Sequence, residues 1–552
     1  MSKQKAPHIS IFKLHSSQLA DSDWNLTFPI DEAGTEVVEL NDSQLIRFID
    51  DMNGINTDEE VKELKGEIQR LKKDKSNTLK VRRLYKELYA TQFHADYVCI
   101  IMDSMKHYDR CNEGFTINGI RYRRFLGTNN GIKRSTIIYI NVDKYDRLFE
   151  IMECDRDKTK PFIPAKLEAY RALICSGSIP VSMPRGIIVV PDCETSFTSD
   201  GIYIDDSESD EPKMTYIEKR DVTVNASDGF GFMCPALSRR WSGELNNKPD
   251  DYLPAVNTRG LPWTKGMLFT FDFHAFADEV AQNYMVKDVW GDWRDVRDAE
   301  VILTASMLKL WDSYKSWEDY YSAVLKYGYQ FAVSKTAPYE LEEERTTNYQ
   351  FLQSYELTDT EIEQLVEPTL SNIRDAMGCD YRKSILYLGG KNIQPESVLW
   401  SDAGIAEALM IEPKLLNDPY VRSSIYENIK IRIKRAKTGV LDVHGNFAIM
   451  GGDPYSLAQS MFGLKVTGLL KAGEIYHKFW SDRGVKEVAC FRAPMTSHNN
   501  IRKQRIACDS EKQKWYRYIT TCVLLNSWDT MAEALNGLKI NPVFRVGFTV
   551  TC

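Results

Sequence analysis

The stretch that decides the fold is TRGLPWTKGMLFTF, residues 258–271, in which a cation-bearing turn leads into an apolar strand. Arg259 and Lys265 flank a Gly-Leu-Pro-Trp-Thr loop, and Gly266 begins the apolar run. A guanidinium holds a phosphate through two hydrogen bonds, whereas an ammonium holds it as a point charge. The segment therefore predicts a phosphate-holding loop at a strand entrance, with an ordinary solvated surface turn as the alternative.

A second segment, DGFGFMCPALSRRW at residues 228–241, has a glycine on each side of Phe230 and continues to Arg239 and Arg240. Glycine allows the backbone to turn tightly or to approach a ligand closely, because it has no Cβ. The β-branched runs STIIYINV and RGIIVVPD precede this segment. We therefore expect residues 115–260 to be rich in strands.

Two further basic segments lie towards the end of the sequence. KEVACFRAPMTSHNNIRKQRI, residues 486–506, reads as a strand that ends at Arg492, where the following Ala-Pro fixes the exit direction of the chain. A lone histidine such as His498 is more often a core or capping residue than a catalyst. KIRIKRAK, residues 430–437, predicts a strand with cations on one face, and a solvated edge strand is the alternative.

The composition is that of a globular protein with several domains. The 552 residues carry a net charge of −8, which does not exclude a nucleic-acid partner because local charge decides binding. No apolar run is long enough for a membrane helix, and MSKQKAPHIS lacks a secretory h-region, so we expect a cytoplasmic location without membrane contact. The 11 cysteines show no C-x-x-C spacing, which argues against a zinc ribbon. Walker A, Rossmann, nucleophile-elbow and HExxH motifs are absent from the sequence.

Hydrophobic periodicity divides the chain into regions. Residues 58–108 read as a helical hairpin with its bend at Ser76 and Asn77. DDSESDEP, residues 205–212, predicts an exposed acidic loop. Residues 275–383 read as strongly helical, a smaller helical section extends to about residue 427, and strands with Gly-rich turns follow.

The order of these pieces resembles the two-barrel RNA polymerases. The loop from Arg259 to Gly266 is similar to the Arg-His-Gly-x-Lys-Gly loop of the bacterial β subunit, with two extra residues here. RAPMTSH at residues 492–498 resembles Arg-Ala-Pro-Thr-Leu-His of β′. LLNSWDTMAEALNG at residues 524–537 resembles the β′ segment that directly precedes an Asp-x-Asp-Gly-Asp loop. The likeness is greatest to single-chain phage RNA polymerases, which are related to cellular RNA-dependent RNA polymerases.

The resemblance implies an α+β multidomain fold with a complete β-like double-psi β-barrel, the start of a β′-like barrel, and helical connector regions. The implied boundaries are an N-terminal helical-hairpin and strand-rich region at 1–219, the β-like barrel at 220–285, a helical connector at 286–425, the start of the β′-like barrel at 426–537, and a non-matching tail at 538–552.

The resemblance also implies roles for individual residues. Lys265 and Arg259 would contact phosphates of the incoming nucleotide or of the RNA 3′ end, and Arg492 would lie near the nucleotide's sugar and phosphates. Lys309 is a weaker candidate, because its surroundings read as helical and helix-borne lysines are usually solvated. The implied nucleotide- or nucleic-acid-binding residues are His498, Arg502, Lys503, Arg505, Lys309, Arg239 and Arg240. The implied partners are a DNA template, an RNA product and nucleoside triphosphates, with an RNA template as the alternative.

The metal ligands of such an enzyme are missing from this sequence. In the family, three aspartates after the position of Gly537 hold Mg²⁺ ions, but residues 538–552 read LKINPVFRVGFTVTC and contain no carboxylate. We therefore expect the complete enzyme to need Mg²⁺, and this chain alone to bind none and to be inactive. Three explanations remain: a gene interrupted at the catalytic codons, a split enzyme completed by a second polypeptide, or a non-catalytic nucleic-acid-binding or assembly protein.

Overall fold

The computed structural model describes residues 8–28, 36–54, 58–73, 78–205, 213–246, 248–349, 352, 357–378, 380–388, 402–492, 501–529 and 548–551. The expected α+β class is confirmed, because these residues form many helices and three seven-stranded sheets. The strands are β1 His8–His15, β2 Asn25–Leu26, β3 Val37–Asn41, β4 Phe93–Ile101, β5 Phe115–Ile117, β6 Ile120–Leu126, β7 Thr136–Asn141, β8 Ile179–Pro180, β9 Ile187–Val190, β10 Glu194–Asp205, β11 Lys213–Asn225, β12 Phe230–Met233, β13 Ala255–Arg259, β14 Gly266–Thr270, β15 Met285–Lys287, β16 Trp293–Asp295, β17 Val301–Thr304, β18 Ala332–Thr336, β19 Glu344–Thr346, β20 Asp442–Gly451, β21 Glu474–Tyr476, β22 Glu487–Arg492, β23 Ile501–Ile506, β24 Cys522–Leu525 and β25 Phe548–Thr551.

The α-helices are distributed along the whole chain. They are α1 Ser16–Asp21, α2 Gln44–Asn53, α3 Asp58–Lys73, α4 Thr78–Thr91, α5 Met105–Asn112, α6 Asn129–Ile132, α7 Val142–Glu153, α8 Pro164–Arg171, α9 Pro235–Asn246, α10 Phe273–Phe276, α11 Trp317–Lys326, α12 Asp359–Met377, α13 Tyr381–Tyr387, α14 Asp402–Ile411, α15 Pro419–Ala436, α16 Pro454–Met461, α17 Lys478–Ser481 and α18 Ser510–Trp515. No helix in the described part of the chain is both long and apolar enough to cross a membrane.

The N-terminal region combines a sheet with the expected helical hairpin. The sheet has the order β2-β5-β6-β7-β4-β1-β3, and the run STIIYINV forms β7 as predicted. Helices α3 and α4 pack through Leu64, Ile68, Leu84 and Leu88, which confirms the hairpin, although its expected bend lies outside the described residues. The expected helix over residues 93–101 is wrong, because this apolar segment is β4, paired with β1 and β7. Of the predicted acidic loop at 205–212, Asp205 is the last residue of β10, and the other residues lie outside the described part of the chain.

The central sheet has the order β8-β18-β13-β14-β12-β17-β9 and contains the run IIVV as β9. Strands β12 and β14 are parallel neighbours, with Phe232 opposite Phe269, and both rings are fully buried. Buried aromatic residues therefore pack β14, which follows the cation-bearing loop, against β12, which follows Gly229.

The expected helical character of residues 275–383 is wrong over much of that range. Strands β15 to β19 and short single-turn helices occupy residues 285–346, and α11 is the one longer helix there. The run VILT, which reads as helical by periodicity, is β17, paired with β12 and β9. Sheet pairing on both sides buries every side chain of this strand, so its pattern is continuous rather than alternating.

Helices α12 to α15 form a separate cluster around Ile373, Ile385, Leu409 and Ile425. Residues 430–437 were expected to form a basic strand, but most of them lie in α15, so that prediction is wrong. Val421, Ile425 and Ile429 recur every four residues and are buried, which is the spacing of a helix face.

The third sheet closes on itself. Its order is β19-β20-β24-β21-β23-β22-β25, and β25 pairs with both β22 and β20, so six strands form a closed ring of pairings. The strand that completes the ring comes from the tail that matches no family motif. Whether this ring is a double-psi barrel stays a prediction, as do the domain boundaries.

Contacts divide the chain into two compact units. The first comprises Met1–Ala337, Gly451–Leu469 and Gln513–Thr520, and the second comprises Pro338–Met450, Leu470–Lys512 and Thr521–Cys552. The loop with Arg259 and Lys265 belongs to the first unit, whereas Arg492 belongs to the second.

Candidate functional site

The loop between β13 and β14 has a shape that only glycine permits at one position. Strands β13 and β14 are antiparallel, with Thr258 opposite Gly266. Gly260 has φ +94°, and a Cβ there would lie 2.2 Å from the carbonyl oxygen of Gln330. The tight approach of the loop to β18 therefore fixes the place where the chain turns after Arg259.

A buried tryptophan holds the middle of this loop. Trp263 has φ +60°, a conformation that costs free energy for a bulky residue, and its side chain is buried. Its indole Nε1 donates a hydrogen bond of 2.8 Å to the Tyr314 hydroxyl, which donates one of 2.8 Å to the carbonyl oxygen of Cys154. The loop is thus preorganised by buried contacts rather than free to move.

The structure brings Lys309 beside Lys265. The Lys265 backbone N–H donates to the Met307 carbonyl oxygen at 2.9 Å, and the Lys309 N–H donates to the Trp263 carbonyl oxygen at 2.9 Å. Both lysines are half-buried. The expectation that Lys309 lies on a helix is wrong, because it lies in a turn after β17 that pairs with the loop. The backbone segments that carry the two lysines therefore lie side by side.

Arg259 is a half-buried cation that donates hydrogen bonds to neutral acceptors. Its Nη1 donates to the Asn257 Oδ1 at 2.6 Å and to the Thr258 carbonyl oxygen at 2.7 Å, while its Nε has no hydrogen-bond partner. No carboxylate among the described residues forms an ion pair with it. Burial lowers the pKa of Arg259 to about 10. An anion bound here would stabilise the charged guanidinium and satisfy its unused donors.

A half-buried carboxylate braces the segment that carries Lys309. Asp192 accepts hydrogen bonds from the Ser306 hydroxyl at 2.6 Å and from the Ser306 N–H at 3.1 Å. The Ser306 hydroxyl oxygen accepts from the Gly229 N–H at 2.8 Å, and the Gly229 carbonyl oxygen accepts from the Met267 N–H at 2.9 Å. Burial raises the pKa of Asp192, and the charge of Asp228 adds to the effect. Sequence motifs missed Asp192, and its only signal is an acid two residues after the end of β9.

The two arginines of α9 contact acidic residues of the same unit. Arg240 pairs with Glu300 at 2.8 Å, and Arg239 lies 3.5 Å from Asp250. Although burial favours the neutral acid, hydrogen bonds from Arg240 and Arg185 lower the pKa of Glu300 to about 2. These contacts give Arg240 a structural role, and the nucleotide-binding role of both arginines stays a prediction.

In the second unit, three predicted cations lie on β23. Lys503 pairs with Glu487 at 2.7 Å and Arg505 pairs with Glu474 at 2.5 Å, whereas Arg502 points to the opposite face of the strand. Arg492 is the last residue of β22, and its backbone is opposite Phe548. His498 lies outside the described residues.

Comparisons with known proteins identify the relatives of this chain. No protein-family model matches it. Over 445 residues it is 29% identical to the DNA-directed RNA polymerase YonO of Bacillus phage SPbeta, an alignment that covers 77% of this chain and 48% of the phage protein. The RNA-dependent RNA polymerase QDE-1 from Thielavia terrestris shares its fold, with a TM-score of 0.53 and 13% identity over 83% of this chain and 49% of that one. The chain is therefore similar in sequence to a phage DNA-directed RNA polymerase and similar in fold to an RNA-dependent RNA polymerase. It spans about half the length of the relatives it matches.

The described residues do not fit a Mg²⁺ site. Among them, no group of three or more Asp, Glu, His or Cys side chains could hold a metal ion. Asp529, the last acid in sequence among the described residues, accepts hydrogen bonds from the Gly473 N–H at 2.6 Å and the Asn526 amide at 3.0 Å. Both hydrogen bonds end on Oδ2, so this oxygen is used within the fold.

Proposed function

We propose that this chain is part of a DNA-dependent RNA polymerase that adds nucleoside triphosphates to the 3′ end of an RNA. The observation that carries the proposal is the 29% identity over 445 residues to the phage DNA-directed enzyme. The cation-bearing loop supports it, because Arg259 is half-buried beside neutral acceptors and Lys309 adjoins Lys265. In phosphoryl transfer, the protein contributes mainly positioning and charge stabilisation.

In this proposal the loop binds the phosphates. Lys265 and Arg259 contact the triphosphate of the incoming nucleotide or the phosphate at the RNA end, and Lys309 adds a third positive charge. The role implied for Arg492, near the sugar and phosphates of the nucleotide, stays a prediction. The groups of the first unit are held by Trp263 and Asp192, so they require little reorganisation when negative charge develops.

The Mg²⁺-binding aspartates lie, in our proposal, on polypeptide outside these 552 residues. Residues 538–552 contain no carboxylate, and the phage relative is about twice as long as the matched region. The missing residues come either from the same gene beyond an interruption or from a second polypeptide. A non-catalytic nucleic-acid-binding protein is the remaining alternative.

The first test measures binding and synthesis with the purified chain. We expect a fluorescent nucleoside triphosphate to bind, and binding to weaken about tenfold or more in Lys265→Ala, because a phosphate-contacting cation is lost. Lys315→Ala, which removes an exposed lysine of the same unit, is the matched control and should bind normally. We expect no Mg²⁺-dependent RNA synthesis on a DNA template by the chain alone. Failure to bind triphosphates or nucleic acid would contradict the polymerase assignment, whereas synthesis by the chain alone would contradict the location of the aspartates.

A second test concerns the transcript. Sequencing cDNA across the codon for Gly537 distinguishes the sources of the missing residues. A message that continues into an Asp-x-Asp-Gly-Asp loop identifies an interrupted gene. A continuous message through Cys552 leaves the second polypeptide or the non-catalytic protein.

The proposal also has to distinguish a DNA template from an RNA template. The solved structure with the same fold is named an RNA-dependent RNA polymerase, so an RNA template is the alternative to DNA. Template competition with the completed enzyme decides between them, because only the used template supports product formation.

A further inference from the structure

The helix α15 replaces the expected basic strand and changes which cations reach the surface. On a strand, Lys430, Arg432 and Lys434 would share one face. On the helix, Arg432 turns inward, where its guanidinium donates to the Asp442 Oδ1 at 2.5 Å and to the Val440 carbonyl oxygen at 2.9 Å. Lys430 and Lys434 are exposed. One cation of the motif is thus structural, and the others face solvent.

The outward cations form a row along the helix. Lys430, Lys434 and Lys437 are exposed and follow one another at intervals of four and three residues, which places them on one face. Arg422 lies one turn before Tyr426 on the same side and is also exposed. Lys430 to Lys437 spans about 10 Å along a helix axis, which equals about three nucleotide steps of a duplex strand. We call these four cations, with Tyr426, the α15 face.

Exposed tyrosine accompanies the cations. The side chain of Tyr426 is 55% exposed, and the Lys430 Nζ lies 4.5 Å from its ring centroid. Glu427, the only acid in the sequence of α15, pairs with Lys430 at 2.8 Å and leaves the other three cations of the face without an acid on their own helix. An aromatic ring among cations is suited to a nucleic acid, because rings stack on bases and cations pair with phosphates.

The charge is segregated within the helical cluster. Helix α12, which packs into the same core, has five acidic residues and one arginine, whereas α15 has five basic residues and one acid. The helix dipole also stabilises cations at the C-terminus of a helix. That effect does not explain Arg422, which lies near the N-terminus, or the exposed Tyr426. Arg435 lines a groove of about 710 Å³ that also contains Glu342, Glu344 and Asp442, so it is not part of the face.

We propose that the α15 face binds the phosphodiester backbone of a nucleic acid, with Lys434 and Lys437 at adjacent phosphates and Tyr426 against a sugar or base. This inference rests on the proposed function, since it names a surface for the polymerase's nucleic acid that lies away from the triphosphate-binding loop in sequence. It requires no catalysis by the chain. The contacts are to the backbone, so the face selects charge and strand geometry rather than base sequence.

The test is fluorescence anisotropy of the full chain with labelled 25-nucleotide RNA, duplex DNA and an RNA–DNA hybrid at several salt concentrations. We compare Lys434→Ala/Lys437→Ala with Lys160→Ala/Lys166→Ala, a control that removes the same charge from exposed lysines of the other unit. We expect the α15 variant to bind about tenfold more weakly at low salt, with a salt slope less steep by about 1.4 for RNA and 1.8 for duplex. The control should match the unmodified chain.

Each outcome bears on a different statement. Equal weakening in both double variants would overturn the α15 face while leaving the polymerase assignment intact. No binding of any nucleic acid by the unmodified chain would overturn both. Polyglutamate serves as a competitor for the labelled nucleic acid. If it displaces the labelled strand as well as unlabelled RNA does at equal charge, the face is a general anion-binding surface and the nucleic-acid proposal is overturned. Circular dichroism and the melting temperature check that the exposed substitutions leave α15 folded.

Discussion

Replacing Gly260 by alanine tests whether the shape of the β13–β14 loop positions the phosphate-binding cations. Gly260 has φ +94°, and an added Cβ would lie 2.2 Å from the Gln330 carbonyl oxygen and 2.7 Å from the Ala332 nitrogen. These two contacts are to backbone atoms and a third, at 2.9 Å, is to the Ala332 Cβ, so no flexible side chain can move aside. Either the loop or β18 must shift, and Arg259 and Lys265 lie at the two ends of that loop.

The expected cost has two parts. Forcing an L-residue to positive φ destabilises the fold by about 1–2 kcal/mol, and overpacking against the backbone destabilises it by about 1–3 kcal/mol more. Gly291 provides the matched control, because it has φ +100° and its nearest neighbour, the Lys287 Cε, would lie 3.7 Å from an added Cβ. Gly291→Ala therefore carries the conformational cost alone. We expect Gly260→Ala to lower the free energy of unfolding by about 2 kcal/mol more than Gly291→Ala.

The assay is urea-induced unfolding of both variants, followed by fluorescent triphosphate binding under conditions in which each remains folded. We expect Gly260→Ala to bind the triphosphate about tenfold more weakly, and Gly291→Ala to bind it normally, because only the first displaces the cations. Equal destabilisation by the two substitutions would refute the contact with β18. A destabilised Gly260→Ala that binds normally would refute the link between loop shape and the phosphate site.

Three other substitutions test charged or buried groups. Glu300→Gln should lower the free energy of unfolding by about 3 kcal/mol at pH 7, because Arg240 loses its buried charged partner. Since the pKa of Glu300 is depressed to about 2, the difference in free energy between this variant and the unmodified chain should shrink as the pH falls from 4.5 towards 2. Urea unfolding measures this difference, and a difference that does not change with pH would contradict the ion pair. Asp192→Asn should weaken triphosphate binding several-fold through loss of the Ser306 brace, whereas Asp146→Asn, at a 97% exposed side chain, should not. Burial lowers the pKa of His477 to about 3. Between pH 7 and pH 5 the free energy of unfolding of the unmodified chain should therefore fall by about 2 kcal/mol more than that of His477→Leu, because the imidazole gains a proton only on unfolding. Parallel pH profiles of the two proteins would contradict this.

The sequence correctly predicted those elements whose own residues show a clear pattern of apolar side chains. The α3–α4 hairpin, β7 and β9 are of this kind, since each has a regular apolar pattern and clear ends. Prediction failed where pairing partners distant in sequence decide the outcome. The apolar β4 and β17 read as helical because strands buried between neighbours on both sides lose the alternating pattern that distinguishes them. Residues 430–437 failed for the opposite reason, since charged residues alternating with isoleucine in that segment imitate a strand.

The candidate site was predictable only in part, for the same physical reason. Arg259 and Lys265 stand close together in one motif, so the sequence alone indicates their loop. Lys309 is more than forty residues later, and only the pairing of its turn with Trp263 brings it to the loop. Asp192 is still farther away and belongs to no motif, because its role depends on the fold bringing Ser306 within 2.6 Å.

The partners of the cations help to separate structural cations from those available to a ligand. Arg240, Lys503 and Arg505 each pair with a carboxylate, which uses their charge within the fold. Arg259 instead donates to a side-chain amide and a backbone carbonyl, and burial lowers its pKa to about 10, so the folded chain carries a free-energy cost at this residue. A bound phosphate would offset that cost by stabilising the charged guanidinium and by accepting a hydrogen bond from the unused Nε. Such a cost is most readily explained at a position whose counter-charge arrives with the substrate, which favours the loop, rather than α9 or β23, as the place where this chain holds phosphate.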